Sequence, residues 1–244
     1  MTLQWVVFGV TALFALQRLP SALRGENRGT FWAFVLIALG MALSIPFFYQ
    51  TVDAVLGGIN LANLLLRFVV FAAFLILGVK AAAAFKAHRA GRLIAGPVGF
   101  TALGLAVAAV IILFVLSDLP ESSAALRAYE DQDTVVAYAH CARLYQTYVA
   151  ACLAPAMFLY AADSRHRSDV RFSAGLMSLG MSLFIVHALL SLALWDVHPG
   201  AWERTLPYAA VLVISIGLAL MWNARRLEKK KPKPNPLATV YGLR

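Results

Sequence analysis

Long runs of apolar residues, separated by short segments that carry most of the charge, constrain this chain more than any other feature of its sequence. Of its 244 residues, 61% are hydrophobic and 14% are charged, against about 45–50% and about 25% in soluble domains. Crossing about 30 Å of hydrocarbon takes about 20 residues of helix, because lipid offers backbone groups no hydrogen-bond partner. The sequence therefore predicts an all-α membrane protein embedded in a lipid bilayer.

Seven apolar blocks are candidates for membrane spans. They cover residues 3–16, 31–48, 59–79, 93–116, 134–160, 172–195 and 207–222. We predict a bundle of seven transmembrane helices over residues 1–223, followed by a basic, proline-containing flexible tail over residues 224–244. The first block is the shortest, but no positively charged segment precedes it. We therefore interpret it as a retained span and not as a cleaved leader.

The cations predict which way the bundle faces. Of the Lys and Arg residues outside the blocks, seventeen lie in the first, third and fifth connections and the tail, and the other connections hold only Arg127 and Arg204. Cytoplasmic loops of membrane proteins are enriched in Lys and Arg. We expect an amino terminus outside, a cytoplasmic carboxyl terminus and a multi-pass location in the plasma (cytoplasmic) membrane.

The net charge of +9 invites a nucleic-acid interpretation, but its distribution favours another partner. The cations lie at the ends of the predicted cytoplasmic loops, where anionic lipid headgroups are close. We therefore predict contacts with anionic lipids at those loops and the tail, and no nucleic-acid partner.

Motifs for catalysis and metal binding are missing. The chain has no phosphate-binding glycine loop, no nucleophile elbow and no H-E-x-x-H pattern. We predict no metal and no cofactor, and we favour a non-catalytic protein while leaving an enzyme open. All twelve Asp and Glu residues fall outside the apolar blocks, which argues against a proton-driven pump.

Basic side chains inside the blocks are the strongest pointer to a site. Arg67, Arg143 and His187 all come to lie about 12–14 Å below the outer surface, at about 1.5 Å of helix per residue. Polar residues at helical spacing share their faces. The candidate ligand-binding residues are Arg67, Arg143, His140, His187, Asn63 and Tyr145. For Tyr145, packing in the core with a local hydrogen bond is the preferred alternative.

Two interpretations of the arginines follow, because a charge at this depth needs a partner. In the first, Arg67 and Arg143 line an outward-facing basic cavity that attracts an anionic group. In the second, they bind backbone carbonyls, reach the headgroups, or pair with Asp53 or Asp133.

A family resemblance adds to these patterns. Residues 53–67, with Gly57, Asn60, Leu61 and Asn63, then residues 144–148 and Gly175 with Gly180, resemble parts of an actinobacterial family of multi-pass membrane proteins that are known only as suggested transporters. The resemblance implies a bacterial transporter, and it brings no substrate or functional residues.

Two functions therefore stay open. The first is a small transporter or lipid-handling protein that uses Arg67, Arg143 and His187, which we call the basic layer. The alternative is a non-catalytic receptor-like protein or a structural subunit of a membrane complex, with a membrane protein partner or an oligomer. Many transporters contain internal repeats, and a repeat would favour the transporter here. The two halves of this sequence show no such similarity.

Overall fold

A computed structural model describes residues 2–26, 28–194 and 201–230, and the regular structure in these ranges is helical. The helices are α1 (Thr2–Leu23), α2 (Arg28–Leu43), α3 (Pro46–Val55), α4 (Leu61–Ala84), α5 (His88–Ala95), α6 (Pro97–Leu116), α7 (Asp133–Ala162), α8 (Ser168–Ala193) and α9 (Ala201–Lys230), with a short 3-10 segment at Ala124–Tyr129. Six helices are long and apolar enough to span a membrane, and α2 with α3 forms a bent pair that would make a seventh. The all-helical, multi-pass membrane architecture predicted from the sequence is confirmed at this level.

Six of the helices form a closed ring. In order around the ring, α1 packs on α2, α2 on α4, α4 on α7, α7 on α8, α8 on α9, and α9 returns to α1. Helix α6 packs outside the ring, mainly on α7, and only 11% of its apolar window is buried. Such a large uncovered apolar surface requires lipid around it, so the protein contacts the bilayer directly.

The second apolar block, residues 31–48, is not one straight helix. Its two parts, α2 and α3, meet at an angle of 91°. Pro46 starts α3 and lacks an N–H, and Ile45 before it is extended, as residues before proline usually are. The break leaves the Ser44 carbonyl free of the helix ladder, and the side-chain amide of Gln4 in α1 donates to it at 3.1 Å.

The turn between α3 and α4 depends on a buried carboxylate. Gly57, Gly58 and Asn60 all have left-handed backbone angles, which glycine and asparagine adopt at low cost. Asp53 is fully buried, and its two carboxylate oxygens accept the N–H groups of Asn60 at 3.0 Å and Ala62 at 2.9 Å. Asp53 thus lies outside the apolar blocks of the sequence but inside the folded protein, where it satisfies the free N–H groups at the start of α4.

Several predicted boundaries also shift. Helix α1 extends to Leu23, so Arg18 belongs to a span and not to the first loop. It is buried, with its guanidinium 4.6 Å from the centre of the Phe34 ring and 5.4 Å from that of Trp222. Helix α9 continues to Lys230, beyond the predicted start of the tail at residue 224. The rest of the tail and Trp195, at the end of the sixth block, lie outside the described residues.

Small residues let α8 and α9 approach closely. A Cβ atom added to Gly180 would lie 2.5 Å from Cγ1 of Ile214, and one added to Gly217 would lie 2.7 Å from Cγ of Met177. Both distances are shorter than van der Waals contact, and backbone carbonyls lie close behind the side chains. The two glycines therefore set the separation of these helices.

Replacing either glycine with alanine should weaken the α8–α9 contact. We expect Gly180→Ala and Gly217→Ala to lower the free energy of unfolding by about 1–3 kcal/mol each, because the added methyl group overpacks the interface. Thermal unfolding in a mild non-ionic detergent measures the change. Gly104→Ala in α6 is the matched control, since an added Cβ there meets nothing within 4 Å. Equal stability of all three variants would contradict the close approach.

Candidate functional site

A cavity of about 500 Å³ lies inside the ring of helices. Residues of α2, α4, α7, α8 and α9 line it, together with part of the loop over residues 117–132 that joins α6 to α7. The volume falls within the usual range of small-molecule sites. The cavity therefore has the size and enclosure to hold a small solute or part of a larger one.

Aromatic side chains close the cavity at its lower end. The rings of Phe74 in α4 and Phe184 in α8 meet edge to face with their centres 5.0 Å apart, and both residues line the cavity. Both also belong to the large apolar core between α4, α7, α8 and α9. Phe74 and Phe184 thus form an apolar floor at one end of the cavity, and residues of the 117–132 loop line the other end.

Five of the six predicted site residues line this one cavity: Asn63, Arg67, His140, Arg143 and His187. Tyr145 is the exception. Its buried ring packs edge to face against Phe71, with centres 5.4 Å apart. The face of α7 that carries Tyr145 turns toward α4 beside the cavity, so this residue is not among those that line it. Whether the other five bind a ligand stays a prediction.

Arg143 pairs with a residue that the sequence analysis did not connect to it. Its Nη2 atom hydrogen-bonds Oε1 of Glu203 in the first turn of α9, and the two side chains are 18% and 20% exposed. The partners considered from the sequence were Asp53 and Asp133, but Asp53 serves the start of α4. Glu203 thus brings a second carboxylate into the bundle, and it neutralises Arg143.

Arg67 is held differently. Its guanidinium lies over the face of Tyr138, 5.2 Å from the ring centre, an arrangement that favours a cation. The Tyr138 hydroxyl donates to Oδ1 of Asn63 at 2.8 Å. Among the described residues, Nε of Arg67 has no hydrogen-bond partner and no carboxylate forms an ion pair with this side chain. Arg67 therefore contributes an unbalanced positive charge to the cavity.

Other polar atoms at the cavity also lack partners within the described part of the chain. They are Nδ2 of Asn63, Nε2 of His187 and Oγ of Ser191, on side chains that are only 0–5% exposed. Buried polar groups are nearly always hydrogen-bonded to protein, water or a ligand. All three residues line the cavity, which is large enough to hold such a partner.

A hydrogen-bonded clamp positions the loop above the cavity. Oδ1 of Asn60 accepts from the Tyr49 hydroxyl at 2.9 Å and from the Ser123 N–H at 2.7 Å, and Nδ2 of Asn60 donates to the Glu121 carbonyl at 2.7 Å. One side chain therefore joins α3, the start of α4 and the loop. The residues of this loop that line the cavity, which we call the mouth, are Ala125, Arg127, Glu130 and Asp131.

The mouth changes the expected charge of the cavity. The sequence predicts a basic cavity, but among the described lining residues four carboxylates (Glu130, Asp131, Asp133 and Glu203) accompany three arginines. The acidic groups of the mouth come from a connection outside the apolar blocks, which the sequence analysis did not place over the site. The cavity is therefore positive near Arg67 and acidic at its entrance, and it is not basic throughout.

Glu203 and the acidic residues of the mouth are the charged cavity residues that sequence reasoning missed. Glu203 lies four residues before the seventh block, and one turn of additional helix brings it to the cavity. An acidic residue one turn outside a predicted span is therefore the signal that could have revealed it. Among the described residues, no three His, Cys, Asp or Glu side chains group as metal ligands.

Comparisons of the chain with protein-family models, curated proteins and solved structures found no match. The resemblance to an actinobacterial transporter family consequently stays a prediction. Function has to be argued from the site itself.

Because Arg143 pairs with Glu203, substitutions at these two positions should have strongly non-additive effects on stability. Removing one partner of a fully buried ion pair lowers the free energy of unfolding by about 3–5 kcal/mol. Because these two side chains keep some exposure, we expect a loss of about 1–3 kcal/mol for Arg143→Gln or Glu203→Gln. The double variant should be less destabilised than the sum of the two, because it leaves no lone charge. Thermal unfolding of the four proteins in detergent gives the coupling. Additive losses would contradict the ion pair.

Proposed function

We propose that this integral membrane protein binds a small molecule or lipid headgroup through an anionic group at Arg67, and that it is a small transporter or lipid-handling protein. The observation that carries the proposal is Arg67 itself, a cation inside the bundle with no carboxylate partner among the described residues. A positive charge in such surroundings is costly unless it is paired or hydrated. A bound carboxylate or phosphate supplies the missing partner.

The neighbours of Arg67 suit such a ligand. Asn63 Nδ2 is a hydrogen-bond donor without a partner in the described structure, and an anion accepts hydrogen bonds from donors of this kind. His187 and Ser191 supply further polar atoms on the same cavity. Apolar side chains of α2 and α4, including Met41 and Leu66, also line the cavity and fit the uncharged part of a ligand.

The alternative is a receptor-like protein or a structural subunit, acting with a membrane protein partner or as an oligomer. The floor formed by Phe74 and Phe184 favours it, because a ligand that enters from the mouth meets a closed apolar contact. Uptake of a radiolabelled ligand by vesicles that contain the protein distinguishes the functions. Uptake that Arg67→Gln abolishes supports transport, and binding without uptake supports the alternative.

The short helix α5 supports the proposed contact with anionic lipids. His88, Arg89 and Arg92 are exposed on it, while Ala90 and Ile94 are buried against the bundle. A basic outer face next to a membrane span attracts anionic headgroups.

Arg67→Gln should remove anion binding. We expect millimolar butanoate or inorganic phosphate to raise the melting temperature of the wild-type protein in a non-ionic detergent, since a ligand that binds only the folded state stabilises it. In Arg67→Gln the affinity should fall about tenfold or more, because one charge-assisted contact is lost. Arg165→Gln, in an exposed loop, is the control and should behave like the wild type.

Stabilisation by neither anion, or equal stabilisation of Arg67→Gln and wild type, would contradict the proposed function. Unliganded melting temperatures show whether the variant folds. If Arg67→Gln does not fold, Arg67→Lys replaces it in the test, because it keeps the charge and should retain part of the anion binding.

The proposal also places the mouth on the outer side of the plasma membrane, because the cation distribution predicts it. In a chain with Cys141→Ser and Cys152→Ser, we expect Ser122→Cys to react with a membrane-impermeant maleimide on intact cells. Ser164→Cys should react only after lysis. Both serines are exposed, in loops on either side of α7. The reverse labelling pattern would contradict the orientation.

A further inference from the structure

The charges along the cavity axis are arranged in two layers of opposite sign. The lower layer is Arg67, because Arg143 and Glu203 neutralise each other. The upper layer consists of Glu130 and Asp131 at the mouth and Asp133 at the start of α7. None of these three acids forms an ion pair within the described residues, and Arg127 is the one arginine in the described mouth. The entrance therefore has an excess of negative charge.

The separation of the layers follows from α7. Arg67 lies against the ring of Tyr138, and Tyr138 is five residues after Asp133, or about 7–8 Å along the helix axis. Glu130 and Asp131 precede Asp133 in the chain and belong to the loop above it. A ligand with two charged groups a few bonds apart matches this distance.

The middle of the cavity is uncharged. Between the layers it is lined by the apolar side chains of Leu66 and Val136. Asn63, one turn above Arg67 in α4, and His187 and Ser191 in α8 also line the cavity, and each has a buried polar atom without a partner in the described structure. A short methylene segment suits the apolar walls, and the polar atoms suit an anionic group beside Arg67.

We infer that the ligand of this cavity is a zwitterion, with its carboxylate or phosphate at Arg67 and an ammonium group at the acidic mouth. The inference rests on the proposed function and specifies its ligand class. A simple anion meets repulsion from Glu130, Asp131 and Asp133 on entry, and a simple cation meets Arg67 below. A zwitterion is attracted by both layers, and like-charge contacts reject the other two classes.

A matched series of four-carbon probes tests the inference: butanoate, n-butylamine and 4-aminobutanoate, whose charges lie about 6 Å apart when the chain is extended. Calorimetric titration of the full-length protein in non-ionic detergent gives each Kd. We expect 4-aminobutanoate to bind about tenfold more tightly than butanoate, because its ammonium group adds one partly screened charge pair with the mouth. Butylamine should bind most weakly.

Two variants of the same loop sharpen the test. Glu130→Gln/Asp131→Asn neutralises the mouth and should remove most of the preference for 4-aminobutanoate, by weakening its binding and strengthening that of butanoate. Asp118→Asn/Glu121→Gln removes the same two residue types from exposed positions that do not line the cavity, and it should keep the wild-type preference. Melting temperatures without ligand verify that both variants fold.

The outcomes separate the inference from the proposed function. If butanoate binds as tightly as 4-aminobutanoate and Arg67→Gln weakens both, the zwitterion inference is overturned and the anion site stands. If Arg67→Gln changes the binding of no probe, the proposed function fails as well. An equal loss of preference in the two loop variants would also overturn the inference, because it would reflect net charge and not the mouth.

The same pair of charges occurs on free solutes and on zwitterionic lipid headgroups. Glycerophosphoethanolamine and short-chain phosphatidylethanolamine, added to the detergent-solubilised protein, distinguish these sources. Tighter binding of the lipid assigns the ligand to the bilayer, and equal binding assigns it to the aqueous phase. Failure of both to compete with 4-aminobutanoate would overturn the extension to phosphate zwitterions.

Discussion

The ion pair between Arg143 and Glu203 is the interaction on which the character of the cavity depends. It joins α7 to α9 across the ring, where either charge alone would be costly in a medium of low polarity. Because the pair neutralises one of the two arginines of the basic layer, the remaining charge belongs to Arg67. Without Glu203 the cavity would carry two cations and would favour a dianion. With it, the lower layer of the cavity presents the single positive charge of Arg67.

The sequence predicted the parts of this arrangement that depend on distance along a helix. Blocks of apolar residues gave the spans, and counting residues from the block ends put Arg67, Arg143 and His187 at one depth. The structure has all three on one cavity. This succeeds because the rise per residue of a helix is nearly constant and because polar groups in a bundle face inward and not toward lipid.

The parts that depend on helix rotation and on loops could not be obtained in this way. Tyr145 follows Arg143 by only two residues, which places it about 200° around α7, and it packs on Phe71 instead of facing the cavity. Glu203 and the acids of the mouth lie outside the apolar blocks, and only tertiary packing brings them to the site. The bend at Pro46 likewise depends on Gln4, which satisfies the backbone opened by the break.

Total charge is a poor guide to what such a cavity selects. The lining acids and arginines nearly cancel in the described structure, yet each acts most strongly on the ligand group closest to it, since Coulomb energies fall with distance and are screened by water at the mouth. Asn60 is important here although it does not touch the cavity. By clamping the loop to α3 and α4, it fixes the acidic layer at a set height above Arg67, and this spacing determines which charged molecules fit.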